Sequence, residues 1–230
     1  MLVVRNLAKH YPGPRGEMLR LFENLSFELT RNGRLAVLGR NGQGKSTLVK
    51  ILGGVVAPSA GEARWSMTAS WPLGFGGGFQ GGMTGLDNIR FIARVYGRAP
   101  QATLERVEAF AELGEALEKP VRFYSSGMRA RLAFGLSLAI EFDCYLIDEV
   151  IAVGDLVFAH KCEHELFERR ADRAFVIASH DLALIRRTCE RAIVIERGRA
   201  KLFDDIETAI AIYGAICEDA EARAAERAAA

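Results

Sequence analysis

Residues 34–52 read Arg34-Leu-Ala-Val-Leu-Gly39-Arg40-Asn41-Gly42-Gln43-Gly44-Lys45-Ser46-Thr47-Leu-Val-Lys-Ile-Leu52. The opening is a short apolar run entering a glycine-rich turn, the pattern of a buried strand. Ser46 to Leu52 then has helical character, closed by Gly53-Gly54. Between strand and helix, Gly39 to Ser46 fit G-x-x-x-x-G-K-[ST] in the context that this motif requires. Glycines let backbone N–H groups curl around phosphate oxygens with no Cβ in the way. The following helix points its positive N-terminus at the same anion. Lys45 is expected to reach β- and γ-phosphates and the Ser46 hydroxyl to ligate Mg²⁺. The expected phosphate-binding set is Gly39, Arg40, Asn41, Gly42, Gln43, Gly44, Lys45, Ser46 and Thr47.

Downstream, Cys144-Tyr-Leu-Ile147-Asp148-Glu149 places two carboxylates where another apolar strand emerges. Asp148 is positioned to hold Mg²⁺, directly or through water, alongside Ser46. Glu149 is positioned to polarise an attacking water as general base. Ala174-Phe-Val-Ile-Ala178 is a further buried-strand run, and Ala192 to Glu196 with Arg199 to Phe203 flank Arg197-Gly198 as a hairpin. Strands alternating with helices predict a largely parallel sheet with helices on its faces.

Between the first strand and Cys144 the chain reads as mostly helical. Thr84-Gly-Leu-Asp87 resembles a capping box opening a helix to about Tyr96. Leu104 to Leu113 carries apolar residues at helical spacing, and Ser126 to Ile140 is a third helix. A helical lobe inserted into an α/β core follows.

Half of the 230 residues are apolar, enough for one sizeable core, and the formal net charge of +1 provides no global basic field. Nucleic acid is therefore not the expected partner. The four cysteines lack C-x-x-C spacing and read as reduced thiols of a cytosolic protein. Met1-Leu-Val-Val, interrupted by Arg5, lacks the apolar core of a signal peptide. The longest apolar-looking run, Leu132 to Ile140, is about half the roughly 20 residues of a spanning helix. A soluble chain is expected, whose membrane role would need a partner. His160 and His164, four apart around Cys162, lack H-E-x-x-H and a third ligand, so they read as a solvated helix face. Arg186, Arg187 and Arg191 also read as a solvated face.

Tyr124-Ser-Ser-Gly-Met128, upstream of the acidic pair at a helix start, resembles the L-S-G-G-Q signature of ABC ATPases. In that family the signature faces the phosphate loop of the other subunit, which sandwiches ATP between two chains. The resemblance implies phosphate-binding roles for Ser125 and Gly127, and a γ-phosphate-contacting switch histidine at His180. It implies an adenine-stacking aromatic at Tyr11 and an interface aspartate at Asp155. Ser126 replaces the usual glycine and Met128 the usual glutamine, so the carry-over rests on Ser125 and Gly127. The loop that normally supplies a glutamine to metal and water reads Leu73-Gly-Phe-Gly-Gly-Gly-Phe79-Gln80, which leaves Gln80 as the candidate amide and metal ligand.

Gly39-Arg-Asn-Gly, Ser70-Trp-Pro-Leu, Phe79-Gln-Gly, Tyr124-Ser-Ser-Gly-Met, Tyr145-Leu-Ile-Asp-Glu and Ala152-Val-Gly-Asp together look like the ATPases of capsular polysaccharide exporters. The resemblance covers roughly residues 1–215. It implies an α/β fold: a P-loop NTPase core of the ABC ATPase type, with an inserted helical lobe at about 84–140 and an antiparallel β subdomain. The domain is placed at 1–217, followed by an Ala/Glu/Arg-rich tail over 218–230 that is free to fray. The implied cofactors are ATP and Mg²⁺. The implied partners are a second copy of the chain and an integral membrane permease, at the cytoplasmic face of the bacterial inner membrane. O-antigen and teichoic acid exporters share much of this pattern.

Overall fold

The structure, a computed structural model, describes residues 1–13, 16–73, 79–149 and 156–229. Its centre is a five-stranded sheet in the order β5-β6-β3-β7-β8, formed by β3 (Arg34–Leu38), β5 (Cys144–Asp148), β6 (Ala174–Ala178), β7 (Arg191–Glu196) and β8 (Arg199–Phe203). β3, β5, β6 and β7 run parallel, and β8 returns antiparallel to β7. The return is made at Arg197 and Gly198, with φ of 48° and 80°, the left-handed pair that a two-residue hairpin needs.

The central strands are apolar on both faces because both faces are covered. Leu35, Val37, Leu146, Val176 and Ile193 belong to one cluster with Leu2, Leu7, Phe22 and Leu48. Ala36, Leu38, Tyr145, Ile147, Phe175 and Ile177 belong to the other, beneath the helices. The first cluster is roofed by an antiparallel sheet of β1 (Leu2–Pro12), β2 (Met18–Leu29) and β4 (Ala60–Trp65), in the order β2-β1-β4. That is the antiparallel subdomain.

The helical lobe comprises α2 (Gly85–Val95), α3 (Pro100–Ala111) and α4 (Ser126–Ile140). Thr84 caps α2: its Oγ1 accepts the Asp87 N–H at 3.1 Å and donates to Asp87 Oδ2 at 2.7 Å. The carboxylate thus turns to the cap hydroxyl. α1 (Lys45–Leu52), α5 (Leu156–Glu163) with its wide turn over His164–Glu168, and α6 (Leu182–Thr188) complete the core layers.

The last helix, α7 (Ile206–Ala229), runs without a break through residue 217, where sequence placed a domain end. Ala209, Ile210, Tyr213 and Ala220 are buried, so α7 docks on the core beyond that point. No described helix is long and apolar enough to cross a membrane. Three cysteines are buried, and burial raises the Cys162 and Cys189 thiols to about 12, which keeps them unreactive.

Candidate nucleotide site

Parallel pairing brings the carboxyl ends of β3, β5 and β6 to one edge of the sheet, since Val37 and Asp148 both align with Ala178. Ligands of open α/β sheets bind outside that edge. The loop after β3 wraps into α1 through Gly42 and Gly44, with φ of 79° and 109°. Side chains at these angles are strained. Gly39 is required for another reason: a Cβ there would lie 2.6 Å from the Ile195 carbonyl oxygen of β7. Gln43 seals the same seam, its Oε1 accepting the Arg197 N–H at 2.8 Å.

Lys45 is 4% exposed. Its ammonium donates to the carbonyl oxygens of Gly39 at 2.7 Å and Arg40 at 3.4 Å, and lies 3.6 Å from Glu149 Oε1. Burial lowers its pKa, opposed chiefly by Glu149. The Ser46 hydroxyl donates to Asp148 Oδ1 at 2.8 Å. Burial raises the Asp148 pKa, and the Ser46 bond works against that. One hydroxyl and one carboxylate at contact distance, below a cavity of about 290 Å³ lined by Asn41, Gly42, Gly44, Lys45, Thr47 and Glu149, are hard oxygen donors of the type that Mg²⁺ takes beside phosphates.

His180 follows β6 and enters the same cluster. Its Nε2 lies 2.9 Å from Asn41 Oδ1, 3.1 Å from Glu149 Oε1 and 3.2 Å from Lys45 Nζ. Four segments thus converge: the loop, the ends of β5 and β6, and a residue the sequence reading did not single out. That residue is Tyr213 of α7, whose hydroxyl lies 3.4 Å from His180 Nδ1. No local motif marks it.

The other expected positions lie apart from this cluster. Ser125 caps α4, accepting the Met128 N–H at 3.1 Å, and the space beside Gly127 is open but for the Ser125 hydroxyl. Tyr11 is exposed near the end of β1, with Lys9 over its ring at 4.6 Å. The Gln80 side chain is exposed, while its backbone is pinned by Asn88, which accepts the Gln80 N–H at 2.8 Å and donates to its carbonyl at 3.2 Å. Buried Asn88 was also missed, because one polar residue inside an amphipathic helix gives no signal. Asp155 lies outside the described residues. Among the described residues no group of three or more His, Cys, Asp or Glu could hold a metal, and His164 instead pairs with Glu168 at 2.8 Å. Arg186, Arg187 and Arg191 are engaged by Glu207, Glu163 and Asp204.

The family model described as "ABC transporter" matches residues 22–152. The chain is 48% identical over 213 residues to "ATP-binding protein BexA" of Haemophilus influenzae, covering 93% of this chain and 98% of that protein. It is 46% identical over 216 residues to "Capsule polysaccharide export ATP-binding protein CtrD" of Neisseria meningitidis serogroup B, covering 94% and 100%. A solved structure described as the dimeric post-hydrolysis state of the ATP-binding cassette MJ0796 bound to ADP and Pi superposes with a TM-score of 0.71 at 21% identity, covering 89% of this chain and 98% of that one.

Proposed function

Because the chain belongs to the ABC transporter family, we propose that it is the ATP-hydrolysing subunit of an exporter that moves capsular polysaccharide across the inner membrane. The observation that carries the catalytic part is the convergence of Lys45, Ser46, Asp148, Glu149 and His180 at one sheet edge. The substrate class comes from the capsule-export name of a relative that is 46% identical end to end.

Each group has a task set by its surroundings. The backbone N–H groups of the loop and the N-terminus of α1 receive the phosphates. The Lys45 ammonium, desolvated and held by two carbonyls, exchanges those contacts for β- and γ-phosphate oxygens. Ser46 and Asp148 would hold Mg²⁺, which neutralises charge on the phosphates. Glu149 accepts a proton from the attacking water, and His180 donates to the γ-phosphate. Ser125 and Gly127, whose hydrogen bonding is local, serve the nucleotide of a second copy, so that two ATP molecules are sandwiched between two chains.

Force reaches the membrane through a permease docked on the helical lobe. Phe91 and Val95, 57% and 63% exposed one turn apart on α2, offer it an apolar face, and the neighbouring Asn88 ties that helix to Gln80. The test uses Glu149→Gln. The variant should bind ATP yet lose turnover by about 100-fold. With ATP it should be recovered from native membranes together with a multi-spanning permease. Unchanged turnover would remove Glu149 from the mechanism; capture of ribosomes or DNA-associated proteins instead would end the export reading.

A further inference from the structure

We propose that Tyr213 is a positioning residue for ATP hydrolysis, donating its hydroxyl proton to His180 Nδ1 and thereby fixing the ring as the tautomer that carries its proton on Nε2. This rests on the ATPase reading above and adds a residue from the C-terminal helix, remote in sequence from every motif of the site.

Nε2 has two oxygens within reach, Asn41 Oδ1 at 2.9 Å and Glu149 Oε1 at 3.1 Å. The Lys45 ammonium, a donor only, is the third and farthest neighbour at 3.2 Å, and its own shortest bond goes to the Gly39 carbonyl at 2.7 Å. A lone pair at Nε2 could accept from Lys45 but would face two closer oxygens, whereas an N–H there is shared between those oxygens. In the neutral ring the lone pair then lies on Nδ1, and the partner of one ring nitrogen decides which tautomer is held.

The group that meets Nδ1 is the Tyr213 hydroxyl, at 3.4 Å. This is a long contact, of the kind that tightens when a site closes on its substrate. Tyr213 is 9% exposed, and burial, with Cys217 beside it, raises its pKa to about 12. It therefore stays a proton donor throughout the working range. The ring is held in turn by α7, which packs along β7 and β8.

The consequence is chemical. An Nε2–H can donate to the γ-phosphate as charge develops there, and a ring with its proton on Nδ1 cannot. Removing the Tyr213 hydroxyl leaves both tautomers accessible, so the loss falls on turnover and spares nucleotide binding.

Tyr213→Phe keeps the buried ring and deletes only the donor. We expect kcat to fall about tenfold with the KM for ATP within about twofold, the size and split of a lost supporting hydrogen bond. The chain has only four histidines, so nitrogen NMR of labelled imidazoles reads the tautomer directly. In the parent, His180 should be protonated at Nε2, and in Tyr213→Phe it should become a mixture. An unchanged His180 tautomer in the variant, or a kcat equal to the parent's, overturns the proposal. His180→Ala separates this outcome from failure of the underlying reading. If that variant is inactive while Tyr213→Phe is fully active, only the positioning role falls; if it retains the full rate, the role assigned to His180 falls with it.

Discussion

The Ser46 hydroxyl donates to Asp148 Oδ1 at 2.8 Å, joining two residues 102 positions apart where β3 and β5 open on the same sheet edge. The bond holds a half-buried carboxylate whose pKa is raised by desolvation. Its two ends are also the pair of oxygens that would hold a divalent cation, the hydroxyl proton then turning away from the carboxylate. Asp148→Asn keeps the shape and an acceptor but removes the charge. ATPase turnover should fall at least about 100-fold, because metal stabilisation of transition-state charge is worth several kcal/mol. Binding of a fluorescent ATP analogue without Mg²⁺ should stay near the parent value, and the gain in affinity on adding Mg²⁺ should disappear. Retention of that gain would show that Asp148 does not serve the metal.

The glycines of the loop make separable demands. A Cβ at Gly39 meets the Ile195 carbonyl oxygen at 2.6 Å, while one at Gly42 meets nothing within 4 Å but sits at a φ of 79°. Gly39→Ala must push the loop off β7, at a cost of about 1–3 kcal/mol from overpacking. Gly42→Ala bears only backbone strain, about 1–2 kcal/mol. Gly39→Ala should also break the Gln43–Arg197 bond and weaken ATP binding more than Gly42→Ala does. Urea unfolding and nucleotide titration of the two variants decide this, and equal losses of affinity would contradict it.

Much of this site was legible because its chemistry is local. Gly39 to Ser46 sit between an apolar run and a helix, Ser125 caps α4 at the expected place, and Asp148 and Glu149 end a strand apolar on both faces. The antiparallel sheet was harder to locate. Asn6 and Asn24 adopt φ of 48° and 53°, and the β1–β2 register shifts at Val4/Leu7 and again at Leu7/Lys9, so alternation never runs long enough to announce a strand. The domain end placed at 217 falls inside α7, where apolar residues thin out while Ala220 is still buried. Tyr213 and Asn88 were invisible for a different reason. Each acts on a partner brought to it by folding or by a turn, and neither belongs to a motif.

Asn88 offers a test of the link between the lobe and the loop before it. Its side chain is 1% exposed, accepts the Gln80 N–H at 2.8 Å, and donates to the carbonyls of Gln80 at 3.2 Å and Thr84 at 2.9 Å. Asn88→Ala leaves the Gln80 N–H without its acceptor, while the Gln80 and Thr84 carbonyls keep the Met83 and Asn88 backbone N–H groups, so the loss should be about 1 kcal/mol. Backbone amide exchange should speed up selectively from Gln80 to Thr84, with α3 and β5 protected as before. If the loss of protection spreads evenly over the lobe, Asn88 supports general packing and does not pin the turn.

Asp143 gives the pH dependence of stability. It accepts the Thr68 backbone N–H and the Thr68 hydroxyl, both at 2.9 Å, with Arg31 at 3.3 Å and Arg173 at 3.6 Å. The Thr68 backbone bond is the main cause holding its carboxyl below the usual range, against partial desolvation, with the hydroxyl and the two arginines adding to it. A carboxyl with a folded pKa below its unfolded value of about 3.9 stabilises the fold above that pH, and the contribution is lost as pH falls through the folded value. Asp143→Asn should therefore unfold more readily at neutral pH, by about 1–2 kcal/mol for bonds to a charged acceptor. As pH falls below the unfolded value and on through the folded one, the gap to the parent should narrow, since the parent takes up the proton and gives up the charge that the variant never had. Urea unfolding at pH 7 and at pH 3 measures both differences. A gap of the same size at the two pH values would mean that Asp143 holds Thr68 by shape and hydrogen bonding alone, with no contribution from its charge.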